Sequence, residues 1–163
     1  IPEKNELWIS SGDKLWREKR DGSIIKNDVP KNKSLKEMIL VTSKNHNNAT
    51  LKKLIQKINF YDVITMGSIG CKIASIIRGE SDLYICLSLP GKSAPKDWDF
   101  AAPHAILKAA GGAITNLDNE SLSYGKSNFE HGGIIVASNN YLVHPRICLQ
   151  IKEIIEKHEI YPY

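Results

Sequence analysis

The stretch APKDWDFAAPHAILKAAGGAITNLD, residues 94–118, contains the features that decide the fold. Two acids flank a tryptophan at 97–99, and an alanine-rich segment with helical periodicity follows them. The pair Gly111-Gly112 then ends the segment, as glycine does at the carboxyl end of many helices, and a short apolar run comes next. This order predicts a loop, a helix over 99–110 and a strand over 113–116.

Short apolar runs alternate with segments of helical periodicity through most of the chain. The runs that predict strands cover residues 37–42, 62–65, 83–87, 113–116 and 134–137. The segments that predict helices cover residues 51–58, 71–78, 99–110 and 141–158. Strands that alternate with helices of this length are typical of an α/β layered domain. We therefore predict a mixed, largely parallel sheet with helices on both faces.

The first 36 residues have a different pattern. Residues 6–10 and 14–18 predict the two strands of a hairpin, and residues 21–36 predict a polar loop with at most a short strand. The chain starts with Ile1, without a methionine, so we expect it to have been cut from a longer protein. We accordingly interpret residues 1–36 as the end of a missing N-terminal domain and residues 37–163 as a C-terminal α/β domain.

Composition excludes several classes of protein. Of the 163 residues, 42% are hydrophobic and 25% are charged, and no apolar run reaches the roughly 20 residues that span a bilayer. The three cysteines are far apart and form no C-x-x-C pair, which argues against a disulfide framework or a cysteine zinc site and favours the reducing cytoplasm. The net charge is only +4 and the basic residues lack interleaved aromatics, so we expect neither nucleic acid nor a membrane as a partner.

Three polar loops follow predicted strands: TSKNH at 42–46, MGSIG at 66–70 and GKSAPKDWD at 91–99. Ligands bind at the carboxyl edge of the strands in an open α/β sheet. We therefore expect the three loops to converge on one site.

Two of these loops contain candidate binding residues that also have a structural explanation. Ser43 and His46 can hydrogen-bond a sugar or a base, although a loop histidine is more often a plain surface residue. In GSIGCK, the glycines let the backbone turn tightly, Ser68 can cap the next helix, and the free N–H groups together with Lys72 favour an anion. An ordinary turn with an N-cap is the alternative.

Asp97 and Asp99 leave two interpretations open. A carboxylate at the start of a helix gains from the free N–H groups and the helix dipole, so either acid can be a helix cap. Two acids together also suit a hard cation, because magnesium prefers oxygen ligands. We interpret Trp98 between them as a packing anchor and Gly111-Gly112 as the helix C-cap.

The pattern W-D-x-A-A-x-x-x-I-L-x-x-A-G-G at 98–112 resembles the C-terminal signature of the inositol monophosphatase family of magnesium-dependent, lithium-sensitive phosphatases. Within that family, GSIGCK at 67–72 and TSKNH at 42–46 are more similar to the 3'(2'),5'-bisphosphate nucleotidases, the CysQ-like enzymes. The resemblance extends over residues 37–140 and implies the C-terminal domain of the inositol monophosphatase-like sugar phosphatase fold.

The resemblance also implies roles for the candidate residues. It makes Asp99 a ligand of Mg²⁺, of which the intact enzyme holds about two or three ions, and it implies inhibition by Li⁺. The residues at positions that contact the nucleotide or shape its loop are Ser43, His46, Gly67, Ser68, Gly70 and Lys72. Inositol phosphatases carry an acid in the loop before Trp98, whereas this chain has Lys92 and Lys96, which suit a second phosphate.

The implied activity is removal of the 3'-phosphate from adenosine 3',5'-bisphosphate (PAP), which gives AMP. The family's Glu-Glu pair, its D-P-[ILV]-D-G-T segment and its water-activating residues do not occur in this sequence. We therefore expect the chain to be inactive alone, to need its missing N-terminal domain, and to expose apolar surface that favours a homo-oligomer. The alternatives are an inositol monophosphatase or sugar bisphosphatase of the same family, and a non-catalytic domain that binds nucleotides or anions.

Overall fold

The computed structural model describes residues 1–19, 24–25, 32–44, 48–89, 92 and 94–161, which form two sheets and four α-helices. The small sheet contains β1 (Glu6–Ser11), β2 (Lys14–Lys19) and β3 (Ile24–Ile25). The large sheet contains β4 (Ile39–Ser43), β5 (Asp62–Met66), β6 (Leu83–Ser88), β7 (Ala113–Asn116) and β8 (Gly133–Ser138). The helices are α1 (Ala49–Ile58), α2 (Ile69–Ile77), α3 (Asp97–Ala109) and α4 (His144–Lys157). No helix within these residues has the length and apolar character needed to cross a membrane.

The strands of the large sheet lie in the order β5-β4-β6-β8-β7. Strand β4 runs parallel to β5 and β6, whereas β8 is antiparallel to both of its neighbours, β6 and β7. Four of the five strands therefore point the same way, which confirms the predicted mixed, largely parallel sheet. The central strand β6 is buried along its whole length, as expected for a strand that is covered on both faces.

Helices cover both faces of the large sheet because successive residues of a strand point to opposite sides. In β6, Leu83, Ile85 and Leu87 pack in the core under α1 and α4, whereas Tyr84 and Cys86 pack in the core under α2 and α3. The predicted α/β arrangement of helices on both faces is thus confirmed. It also places the starts of α2 and α3 on the same side of the sheet.

The predicted hairpin forms from β1 and β2 and packs against α3. The Glu6 carboxylate of β1 lies 3.0 Å from the Arg78 guanidinium at the end of α2 and 3.5 Å from that of Arg17. All three side chains are almost buried, so this cluster ties the small sheet to the layer formed by α2 and α3. The division of the chain at residue 36 stays a prediction.

All four helices begin at residues other than predicted, and α1 and α2 each begin two residues early, at Ala49 and Ile69. Helix α3 begins at Asp97 instead of residue 99, with Lys96 as its N-cap. Helix α4 begins at His144 instead of residue 141, because the Asn140 side chain first forms a turn with the backbone. Pro145 then lies in the first turn of α4. The N–H groups of a first turn have no partner within the helix, so the missing N–H of proline costs no hydrogen bond there.

Candidate functional site

The starts of α2 and α3 line a common cavity of about 390 Å³. Helix α2 contributes Ser68, Ile69 and Gly70, and helix α3 contributes Trp98 and Asp99. Apolar residues further along both helices form most of the remaining wall, and the hairpin adds Leu7 and Trp8. The volume is that of a small-molecule site, and its polar groups come from two of the three loops that the sequence analysis selected.

The third loop is only partly described. Ser43 is the last residue of β4, is 8% exposed, and lies near the Tyr84 hydroxyl at the carboxyl edge of the sheet. It does not line the cavity that contains Asp99. His46 lies outside the described residues, so its predicted contact with a ligand stays a prediction.

The turn between β5 and α2 contains the predicted helix cap. Ser68 is the N-cap of α2, and its Oγ atom accepts the N–H of Cys71 at 3.4 Å. Neither Gly67 nor Gly70 has a positive φ, and a Cβ atom built on Gly67 would meet no heavy atom within 4 Å. Neither glycine is therefore required for the backbone conformation of this turn, and the predicted close approach of a ligand to it stays a prediction. The absent side chain of Gly67 leaves open space before α2.

Lys72 lies beneath this turn and does not line the cavity. It is fully buried, and its ammonium donates to the carbonyl oxygen of Gly67 at 3.0 Å. The Nζ atom is 5.4 Å from the centre of the Tyr84 ring, which is a cation–π distance. Burial lowers the pKa of Lys72, and the thiol of Cys86 and the carboxylate of Asp99 act in the opposite direction. Direct contact with a ligand would require the ammonium to give up its bond to Gly67.

Tyr84 is a residue of this region that the sequence patterns do not single out. It is fully buried in β6, and its Oη atom has no hydrogen-bond partner within the described part of the chain. Burial raises the pKa of Tyr84 well above its ordinary value, with Cys86 and Ser43 close to the hydroxyl. The available signal was one aromatic residue in an otherwise aliphatic strand, which predicts burial but not an unpaired hydroxyl.

Asp99 makes the contact expected of a helix cap, and its role as a magnesium ligand stays a prediction. Its Oδ2 atom accepts the backbone N–H of Lys96, the N-cap of α3, at 2.8 Å, which is the contact made by the acid of a capping box. Its Oδ1 atom accepts no hydrogen bond from any described residue, and the side chain is half-buried in the cavity wall. One oxygen therefore caps the helix, and the other is available to a ligand.

Asp97 is neither a helix cap nor a partner of Asp99 in a cation site. It is the first residue of α3, its Oδ1 atom lies 2.7 Å from Nε2 of His131, and its Oδ2 atom accepts the N–H of Gly125 at 2.7 Å. Both carboxylate oxygens are used within the protein. The interpretation of Asp97 as a cap is therefore wrong, because its partners come from the loop before β8.

Trp98 differs from expectation, and Lys96 has a partner within the protein. Trp98 is 67% exposed and its ring lies 5.9 Å from that of Phe129, so it is not a packing anchor. Phe100, with no exposed surface, packs in the core from the same helical turn instead. The Nζ atom of Lys96 lies 2.6 Å from the Glu130 carboxylate, so its charge is already compensated within the protein. Its predicted contact with a second phosphate stays a prediction.

The described residues do not form the predicted magnesium site by themselves. They contain no group of three or more His, Cys, Asp or Glu side chains that could hold a metal ion. Magnesium is commonly bound by one or two carboxylates together with water and substrate phosphates. Asp99 can supply one such carboxylate.

Comparison with known proteins supports the resemblance found in the sequence. The profile of the inositol monophosphatase family matches residues 2–156. The chain is 33% identical over 105 residues to 3'(2'),5'-bisphosphate nucleotidase 1 of Mus musculus, a match that covers 63% of this chain and 33% of that protein. It is 34% identical over 121 residues to 3'(2'),5'-bisphosphate nucleotidase CysQ of Buchnera aphidicola, covering 74% of this chain and 42% of that protein.

A solved structure agrees at the level of the fold. An IMPase of Thermotoga maritima matches with a TM-score of 0.62 at 21% identity, over 90% of this chain and 54% of that chain. The chain spans 33% to 42% of the length of the two curated relatives. Because the family profile extends over nearly all of the sequence, the chain belongs to the inositol monophosphatase family.

Proposed function

We propose that the intact protein is a magnesium-dependent phosphatase that removes the 3'-phosphate of adenosine 3',5'-bisphosphate. The observation that carries the proposal is the cavity that is lined both by Asp99, whose Oδ1 atom has no partner among the described residues, and by the amino terminus of α2. Free N–H groups at a helix amino terminus favour phosphate, whereas a carboxylate favours a cation. A cavity with both groups suits a phosphate ester that binds together with a metal ion.

The choice of a nucleotide substrate is supported by the motifs TSKNH and GSIGCK and by the names of the two curated relatives. In this proposal, Ser68 and the turn around it bind a phosphate, and Lys72 adds positive charge from beneath. The other proposed contacts are Ser43 and His46 for the nucleoside and Lys96 for the second phosphate. Lys96 would then exchange its ion pair with Glu130 for one with the substrate.

Asp99 is proposed as one magnesium ligand, and the other carboxylates are proposed to come from parts of the intact protein outside this chain. Bound magnesium would neutralise phosphate charge and lower the pKa of a water molecule. The contribution of this chain is to hold Asp99 with Oδ1 free at the cavity wall. On this proposal the 163-residue chain alone releases no phosphate.

Phosphate release by the full-length protein tests the proposal. We expect adenosine 3',5'-bisphosphate to be hydrolysed at least about tenfold more efficiently than inositol 1-phosphate. Asp99→Asn should lower kcat on the order of 100-fold, because it removes the negative charge of a metal ligand. Lys57→Met is the control, since Lys57 is an exposed residue of α1 on the opposite face of the sheet, and it should keep full activity.

Two outcomes would contradict the proposal. A preference for inositol 1-phosphate would show an inositol or sugar phosphatase, and no hydrolysis of either compound would favour a non-catalytic domain that binds nucleotides or anions. Turnover by the 163-residue chain that Asp99→Asn abolishes would show that no further carboxylates are needed.

A further inference from the structure

The backbone immediately before Asp99 is fixed by a segment of the loop that precedes β8. Residues 95–97 and 129–131 run antiparallel to each other, and two backbone hydrogen bonds of 2.9 Å form a β-bridge that pairs Lys96 with Glu130. The Lys96 side chain adds an ion pair of 2.6 Å with the same Glu130. The first turn of α3 is thus attached to a distant part of the chain.

Asp97 and His131 hold these two segments together. His131 is 3% exposed, and its Nε2 atom lies 2.7 Å from Oδ1 of Asp97, whose Oδ2 atom accepts the N–H of Gly125. The imidazole also packs edge-on against the rings of Phe100 and Tyr124. Since every oxygen of the Asp97 carboxylate has a partner and the imidazole is enclosed, loss of either side chain would leave a polar group unpaired.

This connection reaches Asp99 through Lys96. The Lys96 N–H donates to Oδ2 of Asp99 at 2.8 Å, so the position of that N–H determines the direction in which Oδ1 points. If the segment 95–97 moves, the N–H moves with it and the Asp99 carboxylate is free to rotate. Displacement of a binding group by about 1 Å can cost on the order of 100-fold in rate.

We propose that Asp97 and His131 are positioning residues that hold the Asp99 carboxylate in its ligand-binding orientation. The proposal rests on the proposed function of Asp99. Neither Asp97 nor His131 lines the cavity, so both act through Lys96. The two acids beside Trp98 therefore have separate tasks: Asp99 binds the ligand, and Asp97 holds Asp99 in place.

Two variants of His131 test the proposal in the 163-residue chain. His131→Leu removes the imidazole donor and keeps apolar volume against Phe100, whereas His131→Gln keeps an N–H that can reach Asp97. We expect His131→Leu to raise the amide hydrogen exchange rates at residues 96–99 at least about tenfold, with residues 104–109 unchanged. His131→Gln should restore most of the protection.

The full-length protein, assayed with adenosine 3',5'-bisphosphate, gives the second measurement. His131→Leu should lower kcat about tenfold while KM changes by less than about twofold, and His131→Gln should recover most of the loss. Lys108→Met is the control, because Lys108 is an exposed residue of the same helix about three turns after Asp97 and away from the segment 95–97. It should leave both the exchange at 96–99 and kcat unchanged.

Unchanged exchange at residues 96–99 in His131→Leu would overturn the proposal. A lower unfolding midpoint with an unchanged kcat per folded molecule would also overturn it, because that result describes a residue that only stabilises the fold. Absence of any phosphatase activity in the full-length wild type would instead contradict the proposed function. The exchange rates would then still decide whether His131 fixes the first turn of α3.

Discussion

Replacement of Gly112 by alanine is expected to lower the free energy of unfolding by about 3 kcal/mol. A Cβ atom at this position would lie 2.5 Å from the backbone oxygen of Ser138 and 2.6 Å from Cδ1 of Leu107. Ser138 is the last residue of β8, and its strand is hydrogen-bonded on both sides to β6 and β7. The backbone oxygen cannot move away without disturbing the sheet, so the clash is expected to displace the end of α3.

Alanine variants at two other glycines are the controls for effects of alanine other than the clash. Gly111 has φ +83° but open space around it, so Gly111→Ala should cost only the strain of a left-handed residue, about 1–2 kcal/mol. Gly132 has neither a positive φ nor a neighbour within 4 Å of its Cβ position, so Gly132→Ala should change stability by less than about 0.5 kcal/mol. Urea unfolding of the three variants measures the order of their free energies of unfolding. A Gly112→Ala protein as stable as the Gly132→Ala protein would contradict the close approach.

The glycine pair shows how far a local pattern predicts this structure. The sequence correctly predicts a helix C-cap there: the N–H of Gly111 donates to the carbonyl of Lys108 and that of Gly112 to Leu107, the pattern of a Schellman motif. Only Gly111 needs glycine for this motif, because only it has a positive φ. Glycine is required at position 112 because β8 approaches the backbone there. This is a contact between distant parts of the chain, and a local sequence pattern does not predict it.

The acids beside Trp98 show the same limit at the candidate site. Asp97 and Asp99 have the same side chain and share one helical turn, so sequence spacing treats both as a cap or a cation ligand. Their tasks differ because Asp97 bonds to His131, which lies 34 residues away in the chain, whereas the one hydrogen-bond partner of Asp99 among the described residues is the nearby Lys96. The exposure of Trp98 is likewise set by its position in the turn and not by its apolar character.

Short apolar runs predicted the strands of the large sheet, of which β4, β6 and β8 are buried along nearly their whole length and the edge strand β5 is largely exposed. The runs did not give the order of the strands in the sheet, since β8 lies between β6 and β7 and runs antiparallel to both. Pairing partners depend on the path of the connecting chain, and a run of apolar residues has no preference for one neighbour over another.

Acidification from pH 7 to pH 4 is expected to remove about 3 kcal/mol of stability through His144 alone. This residue is fully buried, with Nδ1 at 2.7 Å from Oγ of Ser138 and Nε2 at 2.8 Å from Oγ1 of Thr115. Burial lowers the pKa of His144 from 6.5 to about 4. Because the folded pKa lies below the unfolded one, the neutral ring stabilises the fold above pH 6.5. This contribution to stability falls as the pH drops from 6.5 to about 4, and it changes little at lower pH.

His144→Gln isolates this contribution, since an amide can both donate and accept but does not titrate. Urea unfolding of the two proteins at several values between pH 7 and pH 4 gives the difference in their free energies of unfolding. Other titrating groups, such as the partly buried His104, are the same in both proteins and cancel in that difference. At pH 7 the wild type should be the more stable, because imidazole joins β7, β8 and α4 in one hydrogen-bonded cluster. The difference should shrink by about 3 kcal/mol toward pH 4, and a difference independent of pH would mean that His144 can take up a proton without loss of its two hydroxyl partners.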